Sequence, residues 1–115
     1  MIFKSIIAFS ILMLGLISSV LAQSTNPEKA QAIAKKSLCL GCHAIDKKAV
    51  GPAFQQIAAR YKNEPKAKEK LTQKIRQGGS GAWGVVAMPA NQKNISDDEL
   101  AYLLQWILSG APTKN

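Results

Sequence analysis

Residues 39–43 read CLGCH, and this pentapeptide contains both cysteines and the only histidine among 115 residues. On a helical turn Cys39, Cys42 and His43 fall at i, i+3 and i+4, which lie on one face. Two thiols and an imidazole can therefore address one flat object from the same side. No other feature of the chain restricts its fold as strongly.

The compartment decides what such thiols do. The N-terminus, MIFKSIIAFSILMLGLISSVLAQS, places Lys4 before an apolar run from Ile6 to Val20 and ends in the small-residue site Val20-Leu21-Ala22. That is the layout of a secretory signal peptide, so cleavage after Ala22 and export to the periplasm are expected. An uncleaved anchor is the alternative, but a span needs about 17–25 apolar residues and this run is at the short end. The chain then divides into a signal peptide (1–22) and one domain (23–115), and 115 less 22 leaves 93 residues for the mature protein. A domain of that size builds a modest core and gains from a staple. A Cys39–Cys42 disulfide is a poor one, because the loop it closes is tiny.

The formal charge of +8 falls to +7 when Lys4 leaves with the leader. Nucleic acid is not the expected partner, because the chain lacks the aromatic interleaving of a nucleic-acid platform. The lysines suit an acidic protein or anionic surface, or simply a solvated basic face.

Along the mature segment the apolar period is helical. Asn26-Pro27-Glu28 supplies a cap, a first-turn proline and a first-turn acid; Ala30, Ile33, Ala34 and Leu38 follow at helical spacing. After the Gly51-Pro52 turn, Phe54, Ile57, Ala58 and Tyr61 mark a second helix, ended at Asn63-Glu64-Pro65. KAKEKLTQKIRQGG is a third, with Ala67, Leu71 and Ile75 on its apolar side. Ser96 and Glu99 form a capping box for a fourth, which carries Leu100, Leu103, Leu104, Ile107 and Leu108, with Trp106 as core. Between the last two, residues 78–95 show no period and are expected to be a long functional loop. The fold class is all-α, about four short helices.

Three chemistries compete for CLGCH. A zinc site needs four ligands and finds no further Cys or His, so an acid would have to complete it. A thiol–disulfide oxidoreductase places C-x-x-C at a helix start after a strand, and no strand is legible. A histidine directly after the second cysteine, in an exported chain, matches covalent c-type haem: two thioethers to the porphyrin vinyls and an imidazole to iron. Met1 and Met13 leave with the leader, so Met88 is the only methionine of the mature chain. It lies in the aperiodic loop, where Pro89 extends its backbone. A single methionine ordinarily fills gaps in a core; here the loop context and an unfilled iron position favour Met88 as the sixth ligand.

CLGCH followed by AIDKKAVGPAF, WGVVAMPAN and SDDELAYLLQWILSG resembles the small bacterial class I cytochromes c of the c-551 group, over most of residues 28–110. The resemblance implies a class I cytochrome c fold around one haem c, with thioethers on Cys39 and Cys42 and iron held by His43 and Met88. It implies that the Pro52 carbonyl accepts the other imidazole N–H of His43, that Trp83 reaches a haem propionate, and that Asn91 contacts the Met88 sulfur. Where the family often has an arginine near the propionates, this chain has Lys74, a point charge rather than a planar fork. Where an aromatic is common on the first helix, it has Ala34.

With six ligands, iron has no site for substrate, so a soluble one-electron carrier is expected rather than an enzyme. The alternatives are a haem enzyme or gas sensor with a dissociable Met88, or a thiol oxidoreductase. The expected partners are redox proteins such as a terminal oxidase, a nitrite reductase, a peroxidase or a dehydrogenase, with membrane contact only through them and a monomer as the default. Lys35, Lys36, Lys47, Lys48 and Lys93 flank the haem segments as a candidate docking rim. Burying several hundred Å² of porphyrin contributes on the order of 10 kcal/mol, comparable with the whole stability of a small domain, so haem-free protein is expected to be largely unfolded.

Overall fold

Three of the four helices begin where a side-chain oxygen accepts from a backbone N–H. The computed structural model describes residues 23–114; the N-terminal apolar segment and its cleavage point after Ala22 lie outside them. Helix α1 spans Pro27–Lys36, with Asn26 Oδ1 accepting from Lys29 N at 2.9 Å. Helix α2 spans Phe54–Tyr61, and Gln56 Oε1 reaches back to Ala53 N at 2.9 Å. Helix α3 spans Ala67–Gln77 and stops at Gly78, whose φ of 67° suits a residue without Cβ. Helix α4 spans Asp97–Leu108 behind a reciprocal box: Ser96 Oγ accepts from Glu99 N at 3.2 Å and Glu99 Oε2 from Ser96 N at 3.1 Å.

The core is one cluster in which α4 packs on the other three helices. Leu100, Leu103, Leu104, Trp106 and Ile107 meet Ala30, Ile33 and Ala34 of α1, Phe54 and Ile57 of α2, and Leu71 and Ile75 of α3. Trp106 is fully buried, and its indole N–H donates to Pro112 O at 3.0 Å, so the one polar atom of the ring is satisfied. Ala34 is fully buried as well. Among the described residues no helix is long and apolar enough to cross a membrane.

Two features depart from the sequence reading. Helix α1 does not run on into CLGCH: it ends at Lys36, and Leu38, expected on the buried stripe, takes a left-handed φ of 65° and is 71% exposed. That kink separates α1 from a 3-10 turn at Cys39–Gly41. The expected irregular loop contains a small antiparallel hairpin, β1 (Gly79–Gly81) and β2 (Gly84–Met88), with Gly79 opposite Met88 and Gly81 opposite Gly84. Glycines at positive φ, Gly79, Gly81 and Gly84, let this ribbon turn tightly around Ala82 and Trp83. Both strands are exposed on both faces apart from half-buried Met88, so no alternation of apolar and polar residues announces them.

Candidate functional site

The site grows from the kink at Leu38. The turn that follows carries Cys42 N and His43 N onto Cys39 O at 3.2 and 3.0 Å, which brings both thiols and the imidazole onto one short turn. Both cysteines are free and half-buried. Cys39 packs against the core, and burial pushes its thiol pKa up. A dithiol built for disulfide exchange needs the opposite, a thiol poised to ionise at a helix start after a strand; here the motif follows a helix and a kink.

His43 is held on three sides. Its Nδ1 lies 2.7 Å from Pro52 O, which can only accept, so Nδ1 donates and, in the neutral ring, Nε2 holds the lone pair. Phe54 stacks on the ring with centroids 5.4 Å apart and planes 15° apart, and Phe54 in turn meets Trp106 edge-on at 5.7 Å. Gly51 closes the third side: a Cβ there would lie 2.6 Å from His43 Cε1. The segment is tied back by Gly51 N donating to Cys42 O at 2.7 Å. The backbone fold thus presents one oriented imidazole nitrogen, Nε2, on the same short turn as the thiol pair.

Met88 closes β2, is half-buried and packs against the same core cluster as Cys39. Its carbonyl crosses Gly78, where a Cβ would come within 2.4 Å of Met88 O. Asn91 ties this strap to the cysteine segment: Nδ2 donates to Ser37 O at 2.9 Å and Oδ1 accepts from Asn94 N at 3.2 Å. Both of those bonds are to backbone, so the Asn91 amide serves first to bridge residues 91–94 to the end of α1. Lys74 Nζ is 3.4 Å from Gly78 O, capping its own helix. Trp83 is 43% exposed, and the Arg60 guanidinium lies over its ring at 4.5 Å while donating to Ala82 O.

Sequence reasoning did not single out Arg60, Arg76 or the role of Gly51. Gly51 was legible as a turn, but the contact that requires a glycine there is made with a ring eight residues earlier in the chain. The two arginines carry no local signal, and the backbone carbonyls they serve have no mark in the sequence.

Large apolar side chains are exposed in two segments: Leu38, Leu40 and Val50 around the thiols, and Trp83, Val85 and Val86 on the hairpin that ends in Met88. Isolated exposed apolar residues are ordinary, but here they fall in the two segments that carry the thiols with the imidazole and the thioether, which suits a large flat apolar ligand. The donor set is right for haem c: sulfurs for covalent attachment, a neutral imidazole and a soft thioether. Among the described residues no cluster of three or more His, Cys, Asp or Glu could hold a metal by itself.

Comparison with known proteins agrees with this chemistry. The cytochrome c family model matches residues 27–111. Cytochrome c-551 of Pseudomonas aeruginosa is 39% identical over 101 residues, covering 88% of this chain and 95% of that protein. Cytochrome c-552 of Nitrosomonas europaea is 44% identical over 77 residues, covering 67% of this chain and 74% of that one. The crystal structure of wild-type Nitrosomonas europaea cytochrome c552 superimposes with a TM-score of 0.65 at 42% identity, over 70% of this chain and 98% of that one.

Proposed function

The chain belongs to the cytochrome c family, among the small class I cytochromes of the c-551 group, and on that footing we propose that it is a periplasmic monohaem carrier with iron between His43 and Met88. It is an electron-transfer protein rather than an enzyme, it carries one covalently attached haem c, and its partners are redox proteins. The haem iron supplies the one-electron ferric/ferrous couple.

The remaining work falls to this chain's own side chains. Cys39 and Cys42, both free thiols, would hold the haem through thioether bonds to its two vinyl groups. His43 presents Nε2 to iron because Pro52 O holds the proton on Nδ1, and that hydrogen bond raises the basicity of the ligating nitrogen. Met88, at the end of the hairpin, would supply a thioether as the second protein ligand. A neutral thioether favours ferrous iron and raises the reduction potential relative to a second imidazole. With His43 and Met88 both as ligands, the iron would have no open position for substrate, which suits electron transfer alone. The Trp83 indole N–H would reach a propionate, and Lys74 would add positive charge there. Asn91 has a second amide hydrogen to offer the Met88 sulfur.

The observation that carries this reading is the 2.7 Å contact between His43 Nδ1 and Pro52 O beside two free thiols, because it fixes which nitrogen is left for the metal. Export of the mature chain after loss of residues 1–22 is part of the proposal. Electrons enter and leave through an edge rimmed by some of Lys35, Lys36, Lys47, Lys48 and Lys93, of which Lys36 is already paired with Glu99, and the partners are acidic faces of a terminal oxidase, nitrite reductase or peroxidase. Transfer rates to such a partner fall as salt is raised; rates indifferent to salt would remove the lysine rim from the account.

The test is a mass and a spectrum of the periplasmic protein. A chain beginning at Gln23 with one haem adduct, and a six-coordinate low-spin ferrous spectrum unchanged by carbon monoxide, is the expected result. Carbon monoxide binding would favour a sensor or enzyme with a dissociable methionine. A colourless protein with two titratable thiols would favour an oxidoreductase.

A further inference from the structure

Arg76 sits one residue before the end of α3 and faces the chain that follows Met88. Its Nη1 donates to Ile95 O at 2.8 Å and Asn91 O at 3.2 Å, with Gln92 O at 3.4 Å sharing the same hydrogens. Nη2 meets Asp97 Oδ1 at 2.6 Å. The Asp97 side chain is 96% exposed, so the ion pair contributes little by itself. The Arg76 side chain is only 22% exposed, and the Asn91 and Ile95 carbonyls it serves are part-buried; they would lose their partner without it.

Asn91 is fixed from two further directions. Its N–H donates to Ile75 O at 2.8 Å, and its amide reaches Ser37 O at 2.9 Å. Buried Ser37 returns a bond from Oγ to Asn94 O at 3.2 Å. Residues 91–97 are thereby stapled to the ends of both α1 and α3, and the staple starts three residues after Met88. Upstream, the Met88 carbonyl rests against Gly78.

We propose that Arg76 is the positioning residue that keeps Met88 on the iron, by gathering the carbonyls of residues 91–95 into a turn that cannot drift. The proposal rests on Met88 being the distal ligand. A thioether leaves iron when its strap gains enough freedom on release to offset the lost bond, and the strap gains little while its downstream end is anchored. A planar guanidinium with five N–H donors can serve several carbonyls and a carboxylate together; an ammonium cannot span the same set. Because the thioether prefers ferrous iron, a loosened strap shows first in the ferric protein, and the midpoint potential falls.

The experiment compares holoprotein with wild-type Arg76, Arg76→Gln and Arg76→Lys, and uses Met88→Ala as control. Free imidazole is titrated into each ferric protein to displace the methionine, and midpoint potential and thermal melting are measured alongside. Arg76→Gln should bind imidazole about tenfold more tightly, the equivalent of one charge-assisted hydrogen bond, and lower the midpoint; Arg76→Lys should fall between it and the wild type. If Arg76→Gln does not fold, Arg76→Lys decides alone. Variants that melt earlier but keep the wild-type imidazole affinity and potential would overturn the proposal and leave Arg76 a clamp on the fold. A Met88→Ala protein with unchanged spectrum and potential would instead overturn the ligand assignment, and the role of Arg76 with it.

Discussion

Replacing Gly51 with alanine tests how the proximal ligand is oriented. The added Cβ would stand 2.6 Å from His43 Cε1, 2.9 Å from Nδ1 and 3.1 Å from Nε2. Ordinary contact is about 3.5–4.0 Å, so ring or backbone must yield by about 1 Å. The ring has little room, with Phe54 stacked on it and Nδ1 held to Pro52 O. If the backbone yields instead, the bonds Gly51 N to Cys42 O and Ala49 N to Gly51 O are strained. Overpacking of this kind costs about 1–3 kcal/mol, and a lost hydrogen bond about 1 kcal/mol more. The sum, about 2–4 kcal/mol, lowers the melting temperature of a domain this size by about 10–25 °C. A weakened Nδ1–H···O bond also makes the imidazole a poorer donor to ferric iron and raises the midpoint, by about 20–40 mV for a differential of 0.5–1 kcal/mol in a one-electron couple. Calorimetry and a spectroelectrochemical titration of holoprotein measure both. A Gly51→Ala protein that melts with the wild type would refute the picture of a ring confined on three sides.

Gly78→Ala addresses the opposite side: its Cβ would meet Met88 O at 2.4 Å and Ala90 N at 2.7 Å, at a φ of 67° that disfavours any side chain. It should cost about 2–4 kcal/mol and let carbon monoxide reach ferrous iron, which stopped-flow spectroscopy checks. Glu99 is held below the usual glutamate range, first by the Lys36 ammonium at 2.6 Å and then by the Ser96 N–H. Its folded pKa is the lower one, so the unfolded chain binds the extra proton. The contribution is complete above the unfolded value of about 4.3 and is lost as pH falls through the folded value. Glu99→Gln should therefore flatten the acid limb of the melting profile.

How much of this was legible depended on whether the partner lay nearby in sequence. Asn26, Pro27, Ser96 and Glu99 cap their own helices, so their roles could be read directly. The four helices and nearly all of the apolar stripes followed from local period, and CLGCH carried its chemistry within five residues. The kink at Leu38 was not legible because leucine is a poor candidate for positive φ and the helical period ran straight through it. The hairpin escaped because its valines face outward on both sides, as fits strands covered by a ligand rather than by protein. Asn91 and Lys74 were expected at the Met88 sulfur and a propionate; the backbone groups they bind, Ser37 O and Gly78 O, became visible only with the fold. Arg76 is the extreme case, since every carbonyl it gathers lies 15 or more residues away.

The most direct measurement is the midpoint potential and the near-infrared sulfur-to-iron band of a Met88→Ala holoprotein. The account requires the band to vanish and the midpoint to drop well below that of the wild type, with the haem still covalently bound. A variant that kept both would contradict it, and would place the sixth ligand elsewhere in the chain.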